Sequence, residues 1–296
     1  NTKKISDKLI GAFFEDINYA ADGGLYAELV QNRSFEYRMA DLNMRDSTWN
    51  SKKGWTLINA GQARASFTID SVLPVHPNNP HYAVLSITED GEGAGLSNEG
   101  FDGITVIAGK SYDFTVFART LSRQKDNLTV RLVDKSNTLL CETTTAPFTT
   151  AWNKYSCKLI PAKSAADARL QIIAHKKGRM AIDMVSLFPE NTFKNRPNGL
   201  RNDLAQAIAD IRPRFVRFPG GCLVHGNGLE NIKKKKNTIG PLEQRVEQKN
   251  IWGYRQTAGL GFYEYFLFCE DIGAMPLPVL PAAVSCQNSS DGGQKG

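Results

Sequence analysis

The chain has 296 residues, 41% of them hydrophobic and 22% charged, with a formal net charge of +6. Such a composition belongs to a globular protein with a proper core and excludes a disordered or fibrous chain. No apolar run approaches the roughly 20 residues of a membrane-spanning helix, so no membrane partner is expected.

Taken in chain order, residues 5–14 (ISDKLIGAFF) read as a strand, and 23–35 as a helix with Leu25, Leu29 and Val30 on one face. Residues 1–36 are therefore expected to form a βα unit. From Tyr37 the texture changes to period-two alternation. YDFTVFARTL puts Tyr112, Phe114 and Val116 on one face, NLTVRLVD puts Leu128, Val130 and Leu132 together, and ARLQIIAH does the same for Leu170 and Ile172. Turn signals recur at Asp90 to Gly93, Ala108 to Lys110 and Lys177-Gly178, as an antiparallel sandwich over 37–188 requires.

Helical period returns in LRNDLAQAIADI, where Leu200, Leu204, Ala207, Ile208 and Ile211 share a face and Pro213 ends the helix. FVRF (215–218) reads as a short buried strand. FYEYFLFCEDIG reads as a helix closed by Gly273 in the left-handed conformation, followed by a strand through PLPVLPAAV. The expected fold class is α/β plus all-β. Residues 1–36 and 189–296 supply three barrel-type strands of an incomplete (β/α)8 TIM barrel, which needs about 250 residues when whole. The β-sandwich, of jelly-roll type, interrupts it.

Five cysteines, Cys141, Cys157, Cys222, Cys269 and Cys286, are odd in number and widely spaced. They form neither a disulfide framework nor a CxxC metal site, so no metal is expected. Cys141 and Cys157 either pair across neighbouring strands or serve as small buried hydrophobes. Four of the positive charges come from the single run Lys233 to Lys236, which reads as a solvated loop. With no interleaved aromatic residues and no nucleic-acid motif, the charge does not indicate a nucleic-acid partner.

Three segments carry chemistry. Glu15 ends the first strand with Asp16 beside it and Asn18 nearby; it is either a carboxylate that reads sugar hydroxyls or an acidic cap on the next turn. PGGCLVHGNG (219–228) has four glycines in ten residues, for a close-approaching ligand or for loop geometry alone. It has neither the Gly-Lys-Ser/Thr nor the GxGxxG of a phosphate loop. Cys222 and His225 lack a third orienting group, and Cys222 reads as a pocket wall. SCQNSSDGGQ (285–294), with Asn288, either lines a sugar site or is a polar surface loop.

At GAFFEDINYAADGGLYAELVQNRSFE, RFVRFPGGCLVHGN, TIGPLEQR and IWGYRQTAGLGFYEYFLFCEDIGAMPLPVLPAAVSCQNSS, the sequence resembles the α-L-arabinofuranosidases of glycoside hydrolase family 51, over about residues 5–36 and 190–290. Residues 37–188 resemble the carbohydrate-binding-module-like jelly roll that a subset of that family inserts. The resemblance implies retaining hydrolysis of terminal α-L-arabinofuranosyl groups from arabinan or arabinoxylan, by two glutamates about 5 Å apart. It implies no cofactor, admits homo-oligomerisation of the full-length protein, and suits a periplasmic or secreted location.

By that resemblance Glu15 is a glycone-binding carboxylate, and Gly221 and Cys222 belong to the glycone pocket loop. The nucleophile and the acid/base lie beyond Gly296, so no residue here is catalytic and the fragment is inactive by itself. Where relatives carry a segment like Tyr-Arg-Trp-Lys, this chain has Lys233 to Lys236, and an aromatic contact of about 1 kcal/mol is lost. The alternative is a non-catalytic carbohydrate-binding protein that holds sugar through Trp55 or Trp49 of the sandwich, unless those rings are core. A structural or adhesion module has only the sandwich texture behind it.

Overall fold

In the computed structural model, residues 5–43, 45–123 and 126–286 are described. The chain divides into two compact units. One comprises Asn1–Ala27, Asp41–Asn43 and Thr192–Gly296, and the other Glu28–Ala40 and Met44–Asn191.

The first unit opens with β1 (Ala12–Phe13). The second contains β2 (Trp55–Ala60), β3 (Arg64–Asp70), β4 (Tyr82–Glu89), β5 (Gly93–Asn98), β6 (Ile104–Val106), β7 (Tyr112–Thr120), β8 (Thr129–Val133), β9 (Leu139–Thr144), β10 (Asn153–Leu159), β11 (Ala165–Ala174) and β12 (Gly178–Pro189). The first unit then resumes with α1 (Asn202–Asp210), β13 (Phe215–Phe218), α2 (Cys222–His225), β14 (Gln248–Lys249), β15 (Arg255–Gln256), α3 (Phe262–Ile272) and β16 (Met275–Pro278).

In the second unit, one sheet runs β10-β7-β12-β4-β3 and the other β2-β5-β11-β8-β9, with β6 on β11. All their pairings are antiparallel. Alternation is strict: Tyr112, Phe114, Val116 and Ala118 of β7 and Leu128, Val130, Leu132, Leu170 and Ile172 opposite are buried in one core. Burying each large apolar side chain is worth about 1.5–3 kcal/mol. Cys141 on β9 and Cys157 on β10 lie in different sheets and are free thiols packed against that core. Burial pushes both thiols up to about 11, and they are not a disulfide.

The helix expected over 23–35 does not form. A short turn occupies Ala21–Leu25, after which Tyr26 pairs antiparallel with Leu200. Residues 29–33 then run beside the end of β12, with Leu29 N donating to Leu187 O (3.0 Å) and Val185 N donating to Arg33 O (2.9 Å). β4 pairs β12 only as far as Ile182, and the segment satisfies the backbone groups that β4 leaves open. Glu28 fixes its start: the carboxylate accepts from Ser186 Oγ (2.6 Å) and Leu187 N (2.9 Å) and faces Arg33 Nη1 at 3.5 Å. The boundary between the units thus falls after Ala27 rather than at residue 36.

In the first unit, β1, β13 and β16 make a three-stranded parallel sheet in that order, with Ala12 opposite Val216 and Val216 opposite Pro276. The strand expected over 5–14 contracts to two residues, flanked by Arg214 N→Ile10 O and Phe14 N→Arg217 O (both 2.9 Å). α1 stops before Pro213 as expected, but its buried residue is Ala205, while Ala207 and Ile211 are exposed. α3 ends at Gly273 (φ 67°), whose N–H caps the last turn. The helix is anchored by Glu264, which takes Arg245 Nη2 at 2.7 Å and Nη1 at 3.0 Å, Asn198 Nδ2 at 3.0 Å and Gly261 N at 2.9 Å.

Candidate active site

The site forms where β1 and β13 end. Glu15 leaves β1 and its Oε1 accepts from Gly221 N (3.0 Å) and Leu223 N (3.4 Å) in the first turn of α2. Gly220 is required by close approach: its φ is +147°, and a Cβ there would lie 2.5 Å from Glu15 Oε1. A Cβ on Gly221 would meet only Arg217 Nη2, at 3.5 Å. Glu15 Oε2 makes no hydrogen bond to a described residue, so one carboxylate oxygen remains for a ligand. Glu15, Gly221 and Cys222 are therefore brought together, with Cys222 half-buried as the first residue of α2. Asn288 lies outside the described residues.

Behind Glu15 lies a buried polar network that sequence reasoning missed. Asp16 Oδ1 accepts from Ala21 N (3.0 Å), and its Oδ2 accepts from Gln256 Nε2. Asn250 Nδ2 donates to Asp16 O (3.0 Å). The Tyr254 hydroxyl accepts from Tyr19 N (3.1 Å) and directs its single proton at Asp16, 3.0 Å from O and 3.1 Å from Oδ1. Tyr19 stacks on the Tyr254 ring at 4.1 Å. Asp22 is occupied by Thr257, through N (2.7 Å) and Oγ1 (2.8 Å).

Lys233 completes the network and corrects the reading of the lysine run. Lys234 to Lys236 are exposed, but Lys233 is buried, with Nζ 3.4 Å from Gln256 Oε1. Burial lowers its pKa, opposed by the charges of Asp16 and Asp22. Burial, reinforced by Asp22, raises Asp16 to about 6, against the pull of Ala21 N–H, Lys233 and Tyr254. The signal for this cluster was present in the YRQT of 254–257 and in Asp16 and Asp22, but period and spacing do not reveal which lysine of four turns inward.

Trp55 belongs to the other unit and is 7% exposed. Its Nε1 donates to Asn32 O (2.9 Å), and its ring packs on Phe35 at 5.3 Å. Trp49 is likewise buried, stacked on Tyr37 at 5.0 Å. Both rings are core residues rather than stacking platforms.

Parallel strands whose carboxyl ends carry an acid and a glycine loop define an α/β site of the kind that holds small polar ligands outside the strand ends. The chain is homologous over nearly its whole length to the N-terminal portion of α-L-arabinofuranosidases of glycoside hydrolase family 51. Residues 207–295 match the family profile described as "Alpha-L-arabinofuranosidase 1 domain". An extracellular exo-α-L-arabinofuranosidase of Streptomyces chartreusis is 43% identical, over 95% of this chain and 33% of that protein. α-L-Arabinofuranosidase 1 of Arabidopsis thaliana is 34% identical, over 96% of this chain and 41% of that protein. The solved arabinose-bound MgGH51 α-L-arabinofuranosidase superposes with a TM-score of 0.85 at 32% identity, over 96% of this chain and 45% of that one. The chain thus spans a third to just under half of the length of these relatives.

Proposed function

We propose that this chain is the glycone-binding part of a retaining α-L-arabinofuranosidase that releases terminal arabinofuranosyl groups from arabinan or arabinoxylan. In this reading the three-stranded parallel sheet opens a (β/α)8 barrel, and the antiparallel unit is an inserted jelly roll. The observation that carries it is Glu15: two backbone N–H groups orient one oxygen, leaving the other for a sugar hydroxyl. The homology to a protein solved with arabinose bound supports the ligand. The name of the 43% identical relative favours secretion, and among the described residues no helix is long and apolar enough to cross a membrane.

The 296 residues are proposed to be inactive by themselves. Retention requires two carboxyl groups about 5–5.5 Å apart, facing the same sugar. Beside Glu15, Asp16 has both oxygens occupied within the protein, and so has Asp22. The test is release of 4-nitrophenol from its α-L-arabinofuranoside. No turnover by this chain and turnover by a longer one are expected; turnover by this chain, or none by either, refutes the reading.

A further inference from the structure

We propose that the outward face of the β2-β5-β11-β8-β9 sheet is a groove for the neutral main chain of a polysaccharide, a site distinct from the Glu15 pocket. This rests on the carbohydrate-processing role proposed above and adds the ligand class and the residues. The face borders a cleft of about 1430 Å³. Strand pairing aligns Thr56, Ser97, Gln171, Arg131 and Glu142 in one row across five strands. At about 4.8 Å per strand the row is about 19 Å long, enough for several sugar rings in line. Their neighbours Trp55, Leu96, Leu170, Ile172, Val130 and Leu132 point the other way, into the core.

The chemistry of the row selects the ligand. Thr56, Ser97 and Gln171 make no side-chain hydrogen bond to any described residue, so two hydroxyls and a carboxamide on three adjacent strands keep both donors and acceptors unspent. The adjacent row holds Ile58, Gly95 and Ile173. Gly95 carries no side chain and Ile173 is buried, so the partly exposed Ile58 gives the C–H face of a sugar ring its apolar contact in this row. Within the row charge is balanced, and the net +2 of the cleft, four cations against two carboxylates, comes from the two lysines at its rim. Arg131 pairs with Glu142 at 3.0 Å, and Arg169 and Glu99 are the other guanidinium and carboxylate lining the cleft. Of the two lysines on its rim, Lys52 donates to Phe67 O and Lys53 lies over the Trp49 ring. The uncharged run Thr56, Ser97 and Gln171 offers hydrogen bonds to the hydroxyls of a neutral polyol and no cation to a polyuronate or a nucleic acid. With the Trp55 ring buried, affinity comes from hydrogen bonds to successive sugars and grows with chain length.

The test is affinity electrophoresis of the 296-residue chain in gels containing linear arabinan, unsubstituted xylan or polygalacturonate. Retardation by a neutral chain is expected, weakened at least tenfold in Gln171→Ala and in the triple variant with Thr56→Ala and Ser97→Ala, whose unfolding midpoints stay at the parent value. Retardation by neither neutral chain, preference for polygalacturonate, or undiminished binding by the triple variant overturns the proposal. In a longer, active chain, hydrolysis of the small nitrophenyl glycoside by the triple variant separates the two readings. If that activity is present while no neutral chain binds, the groove alone fails. If binding is present while the longer chain without these substitutions hydrolyses nothing, the arabinofuranosidase reading alone fails.

Discussion

Asp16→Asn tests whether the buried network behind Glu15 carries the cost its geometry implies. The Asp16 carboxyl is raised from 3.8 to about 6, chiefly by burial, so between those values the folded state binds a proton that the unfolded state has released. Stability attributable to this group is therefore highest below about pH 4 and declines as pH rises through about 6. At about 1.4 kcal/mol per pH unit, the interval is worth about 3 kcal/mol. Asparagine is neutral throughout and removes this dependence. It also sets its own N–H₂ group against Gln256 Nε2, so Gln256 must turn its amide, at a cost of about 1 kcal/mol. The variant is accordingly expected to be less stable than the parent at pH 4 and more stable at pH 7.5. Hydrogen exchange in urea, followed in peptides from β13 and α3, reports this unit separately from the sandwich. Identical pH dependence in parent and variant refutes the burial argument, as does a variant less stable than the parent at both pH values.

Gly220→Ala places a methyl 2.5 Å from Glu15 Oε1 at a φ of +147°; strain of about 1–3 kcal/mol and loss of arabinose affinity in a longer, active chain are expected by calorimetry, and unchanged affinity speaks against the Glu15 assignment. Glu264→Gln breaks the buried pair with Arg245, whose side chains are 8% and 4% exposed. Urea unfolding is expected to show a loss of about 3–5 kcal/mol. Trp55→Ala removes a core ring and is expected to cost about 3–5 kcal/mol in thermal unfolding; if it leaves stability unchanged and abolishes glycan retardation, Trp55 is a sugar platform after all.

Local order was legible where one face of an element meets the core and its period is short. β7 alternates at every position, β8 until its last residue and β11 over residues 168–172, so Tyr112, Val130 and Ile172 could be assigned to the interior without a partner in view. The α3 stop at Gly273 and the α1 stop before Pro213 are likewise local, because backbone geometry at glycine and proline is intrinsic. The apolar face of 23–35 satisfied a helical period, yet the open edge of β12 claimed residues 29–33 as a partner, and no local pattern encodes an edge that exists only once the sheet is built.

The site divides the same way. Composition and motif sufficed to single out Glu15 and the 219–228 loop, since an acid at a strand end and a cluster of glycines are unusual in themselves. Which atoms meet was decided by tertiary structure: Gly221 reaches the carboxylate through its N–H while Gly220 leaves no room for a Cβ beside it, and Trp55 turns into the core. Lys233 alone of four consecutive lysines is buried, beside Asp16 and Gln256. Identical side chains in a run carry identical local information, and only the path of the backbone past residues more than 200 positions away in sequence separates the one that meets a buried carboxylate from the three that meet water.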